Sequence, residues 1–307
     1  MQKPVLAVLG PTASGKTALA IEIARRFDGE IINCDSRQVY RGMQIGTASP
    51  SPAEQQQVPH HLFNFLSPAE NFSAADYALK AAEVCREIWG RKKIPLLTGG
   101  TGFYYAAIAE GLGDAGQNLQ RAEELRKLLE NRGLEYMVSM LQQLDPAAAA
   151  GIDTNNSRRV LRAIEIVETT GKPYAENRPV SLLTEADFFP VVVTRAREEL
   201  HRSIALRVDK MIADGLEAEV RQLVSKFGQQ APGLNSIGYQ EWFANFNGAM
   251  TVAQVKELII IHTRQYAKRQ ETWFRRRPGV APVDIGSQQD PAAIFQQIAA
   301  FVGQFAL

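Results

Sequence analysis

The sequence predicts an α/β fold: a parallel-sheet core around a P-loop, a helical insertion, and a long basic C-terminal helix. Three observations predict it. Gly10-Pro11-Thr12-Ala13-Ser14-Gly15-Lys16-Thr17 matches G-x-x-x-x-G-K-T. The match lies between an apolar run at 5–9, read as a short buried strand, and a segment at 18–27 in which Leu19, Ile23 and Phe27 are spaced for a helix. Strand-like and helical segments alternate at the start, then strand signals vanish from about 111 until about 189. The expected organisation is therefore a core at 1–112, an insertion at 113–190 and the continued core at 191–307.

The P-loop comes first because its chemistry is the most specific. Its glycines let backbone N–H groups turn towards one point, and the helix N-terminus adds partial positive charge there. Gly10, Thr12, Ala13, Ser14 and Gly15 form the expected cradle, Lys16 reaches outer phosphate oxygens, and the Thr17 hydroxyl holds Mg2+. A plain glycine-rich turn does not require Lys-Thr in register. The motif specifies a diphosphate or triphosphate, without naming its carrier or the bond that breaks.

Composition narrows the classes. The chain has 307 residues, 45% of them apolar, enough for one large domain or two smaller ones. A net charge of +1 predicts no polyanion partner from bulk charge, so any nucleic-acid surface must come from local clusters. Cys34 and Cys85 supply neither a disulfide framework nor metal-ligand spacing. The early strand leaves no room for a signal peptide, and no apolar run approaches the ~20 residues of a membrane span. A cytoplasmic protein without membrane contact is expected, and monomer is the default.

The first helix should stop at Asp28-Gly29, with Gly29 in the left-handed cap position. A second strand at 30–33 puts Asp35 just past its end, close to the P-loop, because parallel sheets bind ligands at their carboxyl edge. A turn or helix cap also uses aspartate. Beside a P-loop, a carboxylate is more often a general base or a magnesium partner. Residues 42–52 read as loop, and His60-His61 as local polar groups rather than metal ligands. A third strand is expected at 62–66. Ser73 with Asp76 is a capping box opening a helix that Gly90 ends. The clearest buried strand, 94–98, runs into Gly99-Gly100-Thr101-Gly102, which places Thr101 on the same crevice as Asp35.

The insertion carries helical segments at 122–132, 134–144 and 157–170, the last capped by Asn156 or Ser157 and stopped by Gly171 and Pro173. Arg158, Arg159 and Arg162 gather on its first turns, against the dipole. A solvated face and a phosphate contact explain that cluster equally well. Strand character returns at 190–194; Leu200, Ile204, Val208 and Met211 then trace a helical stripe beside which Arg207 reads as a surface arginine. Gly215 should break this helix before a second one at 216–227. The last long helix, 255–276, carries Lys268, Arg269 and Arg275 with Tyr266, Trp273 and Phe274 interleaved. The dipole alone favours such charge, but its density with aromatics suggests contact with a nucleic-acid phosphate backbone as well. His262 reads as a core-edge residue. Beyond Pro278 a strand at 282–285 and a short helix from Pro291 complete the chain.

Taken together, the segments resemble the tRNA dimethylallyltransferase family over nearly the whole chain. The motifs that carry the resemblance are the P-loop octapeptide, Asp35-Ser36 with Gln38 and Tyr40, Ile45-Gly46-Thr47-Ala48, and Pro59-His60-His61. Further along come Phe72-Ser73-Ala74-Ala75-Asp76-Tyr77, Gly99-Gly100-Thr101-Gly102, Ile237-Gly238-Tyr239, the stretch at 159–165 and the closing run from Thr263 to Gln270 with Trp273-Phe274-Arg275. The resemblance implies that the P-loop holds the diphosphate of dimethylallyl diphosphate rather than ATP's. It implies Asp35 as general base, Thr101 as its assistant at the reacting amine, and Arg207 on the diphosphate, against the bland reading of that arginine. It also implies contacts to the tRNA anticodon stem-loop from Asp35, Ser36, Arg37, Gln38 and Thr101, from Arg158, Arg159, Val160, Leu161 and Arg162, and from Arg126, Lys268, Arg269 and Arg275. The insertion and core would close around the stem-loop with the target adenosine flipped out.

The chain departs from the family pattern at Ser49, where the family has lysine, at 113–118, where it has a proline-rich stretch, and at Cys34, where a small residue is expected. Rival readings are a P-loop kinase of a small metabolite or nucleotide, a prenyltransferase of free adenine nucleotides, and a non-catalytic RNA-binding P-loop protein. The first two leave the basic aromatic helix unexplained; the third leaves Asp35 and Thr101 without work.

Overall fold

The computed structural model describes residues 2–113, 118–177, 179–277, 281–284 and 291–305. Residues 114–117, Pro278 and Ile285, which figure in the sequence reading, lie outside them. Two units emerge: one reaches Ala109 and resumes at Leu182, the other spans Glu110–Ser181. These limits differ from the expected 113 and 190 because strand residues begin at Ala186, before the expected return of the core at 191.

The first unit carries strands β1 (Lys3–Leu9), β2 (Gly29–Asn33), β3 (His60–His61), β4 (Ile94–Gly99), β5 (Ala186–Thr194) and β6 (Ala281–Asp284). They form one sheet in the order β3-β2-β4-β1-β5-β6, every pair parallel. β2 and β4 are buried along their whole length and β1 from Pro4 onward. Both faces are covered, which is why these strands read as continuous apolar runs rather than alternating ones. Helices α1 (Lys16–Arg26), α2 (Ala74–Gly90) and α3 (Gly102–Ala109) follow β1, β3 and β4. From β1 the chain crosses over β4 to build β2, so the turns after β1 and β4 lie side by side at the carboxyl edge, where such sheets take ligands.

Close backbone approach locks that edge. A Cβ on Gly99 would fall 2.1 Å from the Cys34 carbonyl, so the loops after β2 and β4 touch main chain to main chain. Cys34 is fully buried, as its small size allows.

Several local expectations are corrected. Asp28, at φ 48, takes the left-handed position after α1, and Gly29 instead opens β2, where a Cβ would stand 3.0 Å from the Ile94 carbonyl. The third strand is His60–His61 rather than 62–66, because Leu62 (φ 61) and Asn64 (φ 49) leave the extended region. The expected loop at 42–52 contains a helical turn, Gln44–Thr47. Gly90 lies within α2, and Lys92 takes the positive φ beyond it. His61 and Arg91 both bind the buried Glu30 carboxylate, at 2.7 and 2.8 Å, the local polar role expected for the histidine.

The insertion has its own core. Helix α4 (Leu119–Leu144) kinks at Gly133, where φ is 78, so the two expected segments meet at that glycine. Helix α5 (Ser157–Thr170) is capped by Asn156 and stopped by left-handed Gly171. Leu125, Met137, Leu141, Val160 and Ile164 pack between them. A short antiparallel pair, Leu112–Gly113 with Pro179–Val180, went unanticipated.

The first unit ends in α6 (Arg197–Ala213), α7 (Leu216–Phe227), α8 (Val252–Arg275) and α9 (Pro291–Val302). Gly215, at φ 95, separates α6 from α7. A second apolar core of Met43, Val208, Leu216, Trp242 and Ile259 fixes α6, α7 and α8 against the loop after β2.

Candidate active site

The P-loop is built by three residues in unusual backbone conformations: Gly10 at φ 150, Ala13 at φ 62 and Gly15 at φ 93. Gly10 has no room for a side chain, since a Cβ would lie 2.5 Å from the Val193 carbonyl. Gly15 caps α1 without a side-chain hydrogen bond, so the first-turn N–H groups are left for an anion. The Ser14 hydroxyl beneath the loop and the Thr98 hydroxyl of β4 are buried without a partner among the described residues. Lys16 donates to the Pro11 carbonyl at 3.1 Å. Burial pulls its pKa down to about 8, opposed by the Asp35 carboxylate and reinforced by Arg207.

Asp35 is held by its own turn. Its Oδ1 accepts from the Arg37 amide at 2.9 Å, and its amide donates to Asn33 Oδ1 at 2.9 Å. Fully buried Asn33 also donates to the carbonyls of Asp35 and Leu62, both at 3.0 Å. Thr101 joins from the turn after β4: its Oγ1 accepts from the Ser36 amide at 2.9 Å and donates to Ser36 Oγ at 3.3 Å. The structure thus puts Thr101 on the loop of Asp35, although 66 residues separate them in sequence.

Arg207 proves to be no surface arginine. It is half-buried, and desolvation lowers its pKa while the Asp35 carboxylate raises it. Its Nη2 donates to the Thr47 carbonyl at 3.0 Å. The same carbonyl accepts from Gln38 Nε2 at 3.1 Å, and that nitrogen also donates to Ala48 at 3.0 Å. The Gln38 amide nitrogen is thereby used inside the protein. Glu219 holds the Gln44–Thr47 turn from behind, accepting from the Ile45 and Gly46 amides at 2.9 and 3.0 Å and from the Tyr239 hydroxyl at 2.7 Å. Asp35, Thr12, Arg207, Tyr266 and Arg269 line one cleft of about 370 Å3. A small adjoining recess is lined by Lys16, Thr17, Asp35, Thr98 and Arg207.

Helix α8 supplies what sequence reasoning missed. Gln270, almost fully buried, accepts from the Thr12 amide at 2.9 Å and donates to the Gly100 carbonyl at 2.8 Å. One side chain therefore ties the P-loop to the turn carrying Thr101. Gly102 makes room for Trp273, since a Cβ there would lie 2.3 Å from the indole. Burial, with Asp35 nearby, pushes the Tyr266 pKa up to about 12. A glutamine and a tyrosine in the closing motif were the available signal, but their spacing read only as a basic aromatic face. Gln270→Ala is expected to leave a part-buried donor and a buried acceptor unpaired, at up to about 1–3 kcal/mol each. Urea unfolding of the variant should show a midpoint lowered accordingly, with the slope unchanged.

The residues expected to meet tRNA divide. Lys268, Arg269 and Arg275 are exposed on α8, with Arg269 over the Tyr266 ring at 5.7 Å. Arg158 and Arg159 are exposed on α5. Arg162 instead pairs with Glu165 at 2.9 Å, and exposed Arg126 with Glu123 at 3.1 Å. Val160 is corrected outright: it is fully buried in the insertion core, so its side chain offers RNA no surface, and Leu161 packs against that core.

A P-loop that meets a carboxylate and a half-buried arginine in one recess, with a threonine bonded to the carboxylate's loop, defines a phosphate-handling α/β enzyme. The IPP transferase family profile matches residues 38–277, and an isopentenyl transferase profile matches residues 3–64. The chain belongs to the IPP transferase family. It is 41% identical over 302 residues to a tRNA dimethylallyltransferase of Roseiflexus sp. (strain RS-1), covering 94% of this chain and 96% of that one. Among solved structures, a full-length tRNA isopentenylpyrophosphate transferase from Bacillus halodurans superposes with a TM-score of 0.71 at 36% identity, covering 99% of this chain and 96% of that one. A eukaryotic dimethylallyltransferase acting on tRNA superposes with a TM-score of 0.85 at 27% identity, covering all of this chain and 81% of that one.

Proposed function

We infer that this chain transfers a dimethylallyl group from dimethylallyl diphosphate to N6 of the adenosine 3′ of the anticodon in tRNA, releasing diphosphate. The observation that carries this reading is the convergence of Asp35, Lys16 and Arg207 on one recess at the P-loop, in a chain collinear with enzymes named for that reaction.

The chemistry needs each group. An adenine N6 amine is a poor nucleophile because the ring shares its lone pair, and it becomes competent as its proton leaves. Asp35 takes that proton, which requires hydrogen-bond reach of ~2.6–3.2 Å in the complex. The nitrogen–carbon bond forms at the allylic carbon as the carbon–oxygen bond breaks, and the electron pair goes to the diphosphate. Lys16, Arg207 and the P-loop amides stabilise that growing charge in a site shielded from water. Thr101, fixed by the Ser36 amide and hydroxyl, positions the amine. The adenosine reaches the cleft by leaving its stack, at a cost of a few kcal/mol that is smallest in a loop. Lys268, Arg269 and Arg275 on α8, with Arg158 and Arg159 on α5, neutralise phosphates and set register.

Mg2+ fits this recess by its donors: the Thr17 hydroxyl and the Thr98 hydroxyl, which has no partner among the described residues, are hard oxygens. Among the described residues no three His, Cys, Asp or Glu side chains gather to hold an ion by themselves, so Thr17 would share it with the substrate phosphates. When bound, the ion neutralises phosphate charge. Among the described residues no helix is long and apolar enough to cross a membrane, and we place the reaction in the cytoplasm, with the protein acting as a monomer.

The test is transfer of labelled dimethylallyl groups with magnesium, comparing unmodified tRNA, AMP and no acceptor. Label in tRNA alone, beside the anticodon, is expected. Label in AMP would move the chain to the nucleotide-prenylating reading; ATP hydrolysis or phosphate transfer without prenylation would make it a kinase.

A further inference from the structure

Arg195 leaves the sheet at the strand beside the P-loop strand. β5 pairs with β1 so that Val192 stands opposite Leu9, and it runs on two residues to Thr194. The next residue therefore emerges level with the P-loop, on the side away from β4. Its guanidinium lies against the loop's last glycine: a Cβ on Gly15 would stand 3.5 Å from Nη2 and 4.0 Å from Cζ. Nη1 donates to Ser203 Oγ at 3.0 Å, which anchors the fork to α6. Nε is buried and has no hydrogen-bond partner among the described residues. Ser203 and Arg207 are four residues apart on α6 and so share a face. Arg195 thus stands one helical turn along the same wall from Arg207, beside the residue that precedes Lys16.

A cation in this place is costly unless an anion answers it. Lys16 and Arg207 already face the recess, with Asp35 the one carboxylate among its lining residues. Arg195 brings a third cation, a guanidinium half-buried and with an unused Nε–H, to the last glycine of the P-loop. A multiply charged diphosphate reverses that balance, because arginine's fixed fork binds phosphate oxygens through charge-assisted hydrogen bonds.

We propose that Arg195 is a third diphosphate-binding cation, which holds the terminal phosphate of the prenyl donor from the outer side of the P-loop. The proposal rests on the prenyl-transfer reading above and adds no covalent step. As the allylic carbon–oxygen bond breaks and its electron pair moves onto the diphosphate, Arg195 shares the charge with Lys16 and Arg207. Its hydrogen bond to Ser203 sets the direction of the fork.

Calorimetric titration of the full chain with inorganic pyrophosphate, paired with steady-state kinetics, tests this. Arg195→Gln is expected to weaken pyrophosphate binding by about tenfold or more, the worth of one charge-assisted hydrogen bond. KM for dimethylallyl diphosphate should rise by a similar factor while KM for tRNA stays put. Ser203→Ala, which frees the fork without removing its charge, should move the same constants in the same direction by less. Should the glutamine variant fail to fold, Arg195→Met keeps the apolar stem and carries the same expectation. Pyrophosphate affinity equal to wild type in a folded Arg195 variant overturns the proposal. So does a rise in KM confined to tRNA, which would make Arg195 an RNA backbone contact. A wild-type protein that binds pyrophosphate but prenylates no acceptor would sink the prenyl-transfer reading, and this proposal with it, whatever the variants do.

Discussion

Replacing Asp35 with asparagine is expected to lower the rate of prenyl transfer by about 10²–10⁴-fold, the usual worth of a positioned general base. The change removes the acceptor of the N6 proton and little else. Asparagine keeps the side-chain oxygen that accepts from the Arg37 amide, so the turn that presents Ser36 and Arg37 survives. Loss of the carboxylate also lowers the Lys16 pKa further, so the comparison belongs well below pH 8, where the ammonium persists. Single-turnover transfer from labelled dimethylallyl diphosphate, with filter binding of tRNA measured alongside, separates the two effects. Collapse of transfer with retained tRNA binding is the expected result. Turnover near wild type would mean that solvent takes the proton and that Asp35 serves the loop alone.

What could be read from sequence here was whatever is local. The P-loop context was legible because the motif, the strand before it and the helix after it occupy one continuous stretch. The cap at Asn156, the stop at Gly171 and the break at Gly215 were legible for the same reason. Asp28 and Gly29 show the limit: local propensity puts glycine in the left-handed position, but Gly29 is needed where β2 approaches β4 closely. The 62–66 run looked like a strand because it is apolar, yet Phe63 packs on the sheet core and Phe65 on the α6–α8 core, from a bent backbone. Arg207 looked ordinary because helical periodicity describes the buried stripe beside it and not what the neighbouring face meets. Gln270 was invisible as a clamp because its partners, Thr12 and Gly100, lie 258 and 170 positions away. The family resemblance pointed to Arg207, which lies in the cleft, where periodicity did not, and it named Val160, whose side chain is buried in the insertion core, because matching a motif says nothing about which side of a helix a residue faces.

Lys16→Ala is expected to lower kcat/KM for dimethylallyl diphosphate by about 10²–10³-fold, comparable to the loss of one oxyanion donor. The wild-type pH profile carries a more discriminating signature of the same side chain. Burial, aided by Arg207, brings the Lys16 pKa down to about 8 from 10.5. The ammonium is the form that binds phosphate, and it is present below that value. Because kcat/KM reports the free enzyme, it should fall as pH rises through about 8, with a slope of one proton. In the complex the diphosphate favours the ammonium, so the matching limb of kcat should move to higher pH. Protein stability must run the other way. Between about 8 and 10.5 the unfolded chain keeps the Lys16 proton and the folded one has released it, so this group makes stability rise with pH in that window. A high-pH loss of activity that tracked unfolding would therefore not be Lys16, whereas a loss accompanied by an unchanged or higher melting temperature would be. Lys16→Arg, which cannot lose its proton in this range, should retain binding and lack the limb near 8; a limb that persists in that variant would assign it to another group.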